Sequence, residues 1–172
     1  LANRRGDAYG GSLANRMRFP LEVYEAVRSQ VPDGMPIAAR ISATDFDPAG
    51  VTPAESIKIS RILHEARCDI IAVSTAGVTS ARRPTMAQRL YQLSLCEAIR
   101  HEAKTPAMAI GGLVSHTDCN MIIASGRADL CVMARGAMNQ PYFPHHAAHE
   151  QGHVFDWPLP YARADETVIR AS

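Results

Sequence analysis

A pair of glycines and two arginines carry the strongest chemical signal in the chain. Gly111-Gly112 closes the apolar run that begins at Pro106. With no Cβ on either residue, the backbone there can come close to an anion. Ser115 then opens a helix, whose first amides favour negative charge. An ordinary strand-to-helix turn uses the same residues, and that reading stays open beside the functional one. Arg135 follows Ala134 at the end of a second apolar run. Its guanidinium fork fits a phosphate, and leaving it unpaired there would be costly. Arg40 interrupts Ala38-Ala-Arg-Ile-Ser42. A buried arginine needs an anionic partner, which is either an internal carboxylate or a ligand whose developing charge it stabilises.

The elements that must position these residues alternate. Four short apolar runs start near Pro36, Asp69, Pro106 and Ala128. Near-continuous apolar runs of that length suit strands buried on both faces of a parallel sheet. Helices separate them. Thr52-Pro-Ala-Glu55 reads as a capping box, with Ile59, Ile62, Leu63 and Ala66 on one face behind it. Ser115 opens another helix, with Met121 and Ile122 inward and Gly126 at its end. The first helix carries Leu13, Met17, Leu21, Tyr24, Val27 and Val31 on one side, and Pro20 should kink or restart it. Further helices are expected around Met86–Ala103 and Pro141–Gln151.

This order gives a parallel sheet with right-handed crossovers. Two architectures compete: a small open doubly wound sheet, or half of an eight-stranded barrel. An open nucleotide-binding sheet places its glycine-rich turn after the first strand. Here that strand ends in Ser42-Ala-Thr-Asp45, and the glycines and Arg135 follow the third and fourth strands. Barrels hold phosphate on the loops after their last strands. The expected fold is therefore α/β, the C-terminal half of a (β/α)8 TIM barrel with four parallel strands and alternating helices. Residues 1–156 would form the half barrel and 157–172 a tail.

Composition excludes several other roles. The 172 residues are 47% hydrophobic and 20% charged, with 18 basic and 17 acidic side chains for a net charge of +1. No basic block suits a nucleic acid, and no apolar run approaches the ~20 residues of a membrane span. Cys68, Cys96, Cys119 and Cys131 are widely spaced and read as reduced core thiols in a cytoplasmic protein. His145, His146 and His149 fall at helical spacing, but no further ligand completes a set, so no metal is expected.

Together the motifs resemble the old yellow enzyme family of FMN-dependent oxidoreductases. The resemblance rests on Asp7-Ala-Tyr-Gly-Gly-Ser-Leu-Ala-Asn-Arg16, then Arg40-Ile-Ser, Val73-Ser74, Ile110-Gly111, and Gly126-Arg-Ala-Asp-Leu130 with Ala134-Arg135. It covers the family's C-terminal half, and the opening at Leu1 reads as a cut. It implies that Arg40 contacts the flavin pyrimidine edge. Gly111, Gly112, Ala134 and Arg135 would meet the FMN phosphate, with Ala134 standing where the family has glycine. Asp7 and Arg16 would fix a loop, and Tyr9 would belong to that loop rather than act as an acid. The segment Trp157-Pro-Leu-Pro-Tyr161-Ala-Arg163 is similar to a tail in one branch of the family, where an arginine enters the neighbouring subunit's active site. Arg163 would take that substrate-binding role. The stretch from His146 to Trp157 also resembles the reductase-like domain fused to aromatic acyl-CoA monooxygenases.

The family's substrate-binding histidine pair and proton-donating tyrosine would precede residue 1, so no catalytic side chain is assigned within the chain. The implied activity is hydride transfer from NAD(P)H through FMN to an electron-poor alkene or aromatic acyl-CoA-type small molecule, in an enzyme that is a homo-oligomer at full length. Two alternatives stand beside it: a barrel enzyme acting on a phosphorylated metabolite without flavin, and a non-catalytic half barrel that self-associates.

Overall fold

The computed structural model describes residues 1–75, 78, 88–153 and 158–164, with the backbone alone at 162–164. Two compact units divide the chain, Leu1–Met133 and Ala134–Ser172. The boundary expected at 156/157 lies outside the described residues.

The first unit begins with α1 (Leu13–Gln30) and continues through β1 (Ala38–Ser42), α2 (Pro53–Glu65), β2 (Ile70–Ser74), α3 (Leu93–Glu102), β3 (Ala107–Ile110), α4 (His116–Ala124) and β4 (Leu130–Val132). The strands form one parallel sheet in chain order, β1-β2-β3-β4. A doubly wound sheet reverses its order and covers both faces. This one does neither. Ile71, Val73, Ala107 and Ala109 are buried on one face, joined in the core by Leu63, Ile99 and Ile122 from the helices. The alternate residues form cross-strand rows, one of them Arg40, Ala72, Met108 and Leu130. Arg40 is exposed and Leu130 is 51% exposed. The expectation of strands buried on both faces holds for β2, where Ala72 and Ser74 are buried as well as Ile71 and Val73, whereas the outer strands β1 and β4 are open on the second face within this chain.

Local signals explain the element ends. Ser12 and Thr52 each accept a hydrogen bond from the amide three residues on, starting α1 and α2. Only half of the expected capping box forms, because the Glu55 carboxylate turns to Arg16. The proline in α1 does not restart the helix. Pro20 sits on the exposed side and removes a single donor, which the flanking turns outlast. Met17 and Tyr24 are buried as expected, whereas Val27 is exposed. On α4, Ile122 is fully buried and Met121 exposed, so only one of that pair faces inward. Gly126, at φ 70°, ends the helix.

One device recurs at the sheet's N-terminal edge. The Asp69 carboxylate, just before β2, accepts from the Ile37 amide at 2.7 Å ahead of β1. The Asp129 carboxylate, just before β4, accepts from the Ala107 amide at 2.9 Å at the start of β3. Each aspartate also faces an arginine of the preceding helical layer, Arg28 on α1 or Arg100 on α3. A carboxylate that satisfies both a strand amide and a guanidinium fixes the register of neighbouring strands.

The second unit contains α5 (Arg135–Asn139), α6 (Phe143–Glu150) and a 3-10 turn (Leu159–Ala164). The Tyr142 ring meets the His145 and Tyr161 rings edge-on there. No helix among the described residues is long and apolar enough to cross a membrane.

The one-sided sheet predicts an asymmetry. Ile71→Ala on the covered face should lower unfolding free energy by about 2–5 kcal/mol. Leu130→Ala on the open face of this chain should cost less than ~1 kcal/mol. Urea denaturation of both variants checks the contrast.

Candidate functional site

Within the first unit, Gly111 and Gly112 follow the end of β3 and Arg40 is the middle residue of β1. At the end of β2, the Ser74 hydroxyl donates to the Ile41 carbonyl at 2.9 Å and accepts from Arg40 Nε at 3.2 Å. That is the Arg40 side chain's one hydrogen bond among the described residues. No carboxylate there neutralises it, so the internal salt bridge weighed from the sequence is not what holds Arg40. Its exposure also corrects the expectation of a buried arginine. Beyond β1, the buried Asp45 accepts from the Val51 amide at 2.8 Å through Oδ2, while its Oδ1 has no partner.

The turn after β3 is the most constrained part of this end. Gly111 and Gly112 have φ of 101° and 70°, where an L side chain is disfavoured. Space forbids one as well. A Cβ on Gly111 would lie 2.6 Å from Gln92 Nε2 and 2.9 Å from Tyr91 Cε1. On Gly112 it would lie 2.6 Å from the Leu90 nitrogen and 2.9 Å from the Gln88 oxygen. The segment Gln88–Gln92 therefore packs directly on the glycine pair. This is why α3 starts at Leu93, later than the helix expected from Met86, a residue outside the described set. Gln92 is 3% exposed, and its Oε1 has no hydrogen-bond partner.

An ion pair ties the same segment to the start of α4. Arg89 Nε donates to Asp118 Oδ1 at 2.9 Å, with a second contact through Nη2. Asp118 is 1% exposed. Its amide donates to the Ser115 hydroxyl at 3.1 Å, which caps α4 as the sequence indicates. Burial alone would raise the Asp118 carboxyl pKa. The hydrogen bonds from Arg89, Ser115 and the Val114 amide outweigh it and hold the group below the usual carboxylate range.

Sequence reasoning missed Gln92 and Arg89 as supports of the turn. They precede it by about twenty residues, and no motif links them to it. The Ser115–Asp118 cap was visible and was the one available hint.

The N-terminal loop behaves as the motif reading expects. Asp7 pairs with Arg5 and accepts from the Tyr9 amide at 3.0 Å, which lowers its carboxyl to about 2. Arg16 joins the Gly11 carbonyl to Glu55. The Tyr9 hydroxyl donates to Glu22, and its ring lies under the Arg5 guanidinium.

Ala134 and Arg135 belong to the second unit and are exposed. Ala134 has φ −114°, so an alanine meets no backbone strain there. Arg163 falls in the 3-10 turn, and its side chain lies outside the described residues, as does Trp157. Among the described residues no cluster of three metal-ligating side chains occurs, and His145, His146 and His149 lie on α6.

Two predictions follow from this geometry. Gly112→Ala should destabilise by about 2–4 kcal/mol, the sum of a left-handed backbone cost and an overpacking cost. Gly111→Ala should cost less, because its neighbours are side-chain atoms; thermal denaturation reads both. Asp118 has a folded pKa below its unfolded one. Its contribution is therefore present above the ordinary carboxylate pKa and fades as pH falls below about 4. Asp118→Asn should lower the urea midpoint near neutrality and flatten its dependence on acid.

The model of the NADH:flavin oxidoreductase / NADH oxidase family matches residues 1–153. The NADPH dehydrogenase of Geobacillus sp. (strain WCH70) is 39% identical over 163 residues, covering 95% of this chain and 47% of that protein. The NADPH dehydrogenase of Clostridium acetobutylicum is 38% identical, covering 95% and 48%. The chain thus spans about half the length of these relatives. Among solved structures, a 2-naphthoyl-CoA reductase in complex with 2-naphthoyl-CoA superposes with a TM-score of 0.77 at 28% identity, over 88% of this chain and 23% of that one. Histamine dehydrogenase from Rhizobium sp. 4-9 gives 0.72 at 26%, over 87% and 22%. These neighbours are TIM-barrel flavin oxidoreductases, which makes the four strand–helix units part of a (β/α)8 barrel. The chain belongs to the NADH:flavin oxidoreductase / NADH oxidase family, an FMN-dependent oxidoreductase family.

Proposed function

We propose that this chain is the portion of an NAD(P)H-dependent flavin oxidoreductase that holds the FMN phosphate and supports the pyrimidine edge of the ring. The observation that carries the reading is the Gly111–Gly112 turn. Two positive-φ glycines are pinned by a packed loop on one side and a capped helix on the other. Such a turn presents backbone rather than side chain, and a helix start beside it favours an anion. FMN fits this donor set, and when bound it supplies the two-electron carrier between NAD(P)H and the acceptor.

The chain's own residues then have separate tasks. Gly111 and Gly112 give the phosphate main-chain donors at a fixed position. Ala134 and Arg135, which follow β4 in the chain, are assigned to the FMN phosphate by their own chemistry, a backbone group and a guanidinium. Arg40, steadied by Ser74, keeps its other donors for the electron-rich edge of the ring, where a fixed cation stabilises negative charge. Arg163 is assigned to the substrate, across a subunit boundary of a homo-oligomer.

The acceptor is a small electron-poor molecule, an activated alkene or an aromatic acyl-CoA-type compound. Support for the second class comes from the likeness to a reductase solved with 2-naphthoyl-CoA. A barrel acting on a phosphorylated metabolite without flavin would use the same turn, but it leaves Arg40 without a ligand.

Binding separates these readings. FMN titrated into the chain should bind more tightly than riboflavin, which lacks the phosphate. Arg135→Ala should weaken FMN by roughly tenfold or more and leave riboflavin unchanged, as loss of a charge-assisted bond requires. Arg40→Ala should weaken both flavins alike, because both share the ring. Flavin fluorescence gives all three affinities. Equal affinity for FMN and riboflavin would remove the phosphate assignment, and tight binding of a sugar phosphate with indifference to FMN would favour the flavin-free enzyme.

A further inference from the structure

The helix that follows the glycine turn opens with a negative charge of its own. Asp118 is the third residue of α4, in its first turn. Its side chain is 1% exposed, and its Oδ2 accepts from the Val114 amide at 3.5 Å. A carboxylate in that place already meets the positive end of the helix. It takes up a main-chain donor that an incoming anion could use. Shielded from water, its charge also repels such an anion more strongly than an exposed one would. The turn suits phosphate only if that charge is cancelled.

Arg89 supplies the opposite charge. Its Nε donates to Asp118 Oδ1 at 2.9 Å, and its Nη2 reaches the same oxygen. Against the upward push of burial, this bond does most to lower the Asp118 carboxyl. The backbone that carries Arg89 is held against the turn itself. The Arg89 carbonyl carbon lies 3.2 Å from the place a Gly112 Cβ would take, and the Leu90 nitrogen 2.6 Å from it. Leu90 has φ 56°, a conformation that an L side chain rarely adopts and that packing must impose. The guanidinium therefore reaches Asp118 from a fixed base, with 63% of the Arg89 side chain still open to solvent.

We propose that Arg89 sets the affinity of the glycine turn for phosphate by neutralising Asp118. This rests on the assignment of that turn to the FMN phosphate. Arg89 is a positioning residue here, acting through Asp118 with no need to touch the ligand. While the pair is intact, the start of α4 presents its amides with the capping carboxylate balanced. Without the guanidinium, a buried negative charge stands in the first turn of the helix. A phosphate monoester, which carries up to about two negative charges at neutral pH, then loses affinity, and an uncharged ligand does not. A pair that only braced the Gln88–Gln92 segment would act differently. Its loss would loosen the turn and weaken every ligand alike, and removing both partners would be no better than removing one.

Flavin fluorescence titrations of the whole chain separate the two roles. Arg89→Gln should weaken FMN by about tenfold or more and riboflavin by less than about twofold. Adding Asp118→Asn to that variant removes the opposing charge and should recover most of the lost FMN affinity. Arg89→Lys keeps the charge, if not the fork, and should lose little. Equal weakening of both flavins by Arg89→Gln would overturn the proposal, as would a double variant no better than the single one. An FMN preference that Arg89→Gln leaves intact would overturn it while the phosphate assignment stands. Equal affinity of the unsubstituted chain for the two flavins would remove that assignment and this inference with it. Should Arg89→Gln fail to fold, Asp118→Asn alone decides. It should tighten FMN relative to riboflavin, and an unchanged or smaller ratio would contradict the proposal.

Discussion

At the end of β3 two segments of backbone pass so close that no side chain fits between them. A methyl group on Gly112 would sit 2.6 Å from the Leu90 nitrogen, and one on Gly111 would meet Gln92 and Tyr91. The rest of the candidate site depends on this crowding. It forces positive φ at both glycines, delays the start of α3, and delivers the chain to Ser115, where α4 begins with its cap in place. The Arg89–Asp118 pair closes the arrangement from the far side. The rigidity of the turn comes from packing and charge outside the motif that advertises it.

The parallel strands supply the platform. Asp69 and Asp129 repeat one solution two strands apart, each joining a strand amide to an arginine on the preceding helix. That repetition suits a sheet that adds strand–helix units in order and covers a single face. The other face carries Arg40 in a row with Ala72, Met108 and Leu130. An arginine among apolar neighbours, held by one serine hydroxyl, is placed for a partner that brings negative charge.

Much of this was legible in the sequence. Four apolar runs, two Ser/Thr caps and Gly126 marked the elements, because strand burial and helix capping are local patterns. The position of Gly111-Gly112 after the third run separated a barrel from an open sheet. What could not be read was long-range. Apolar strands do not reveal which of them lies at the margin of the sheet, so Arg40 on the outer strand β1 looked buried. Glu55 looked like a capping partner until Arg16, thirty-nine residues away, claimed it. The Gln88–Gln92 support had no signature, since a glycine pair announces that something comes close without naming what.

Amide chemical shifts of the isotope-labelled chain test the central claim most directly. Addition of FMN should move the Gly111 and Gly112 amides and those opening α4, and riboflavin should leave the same signals in place. Shifts confined to other parts of the chain, or identical responses to the two flavins, would contradict the assignment of the glycine turn as the phosphate anchor.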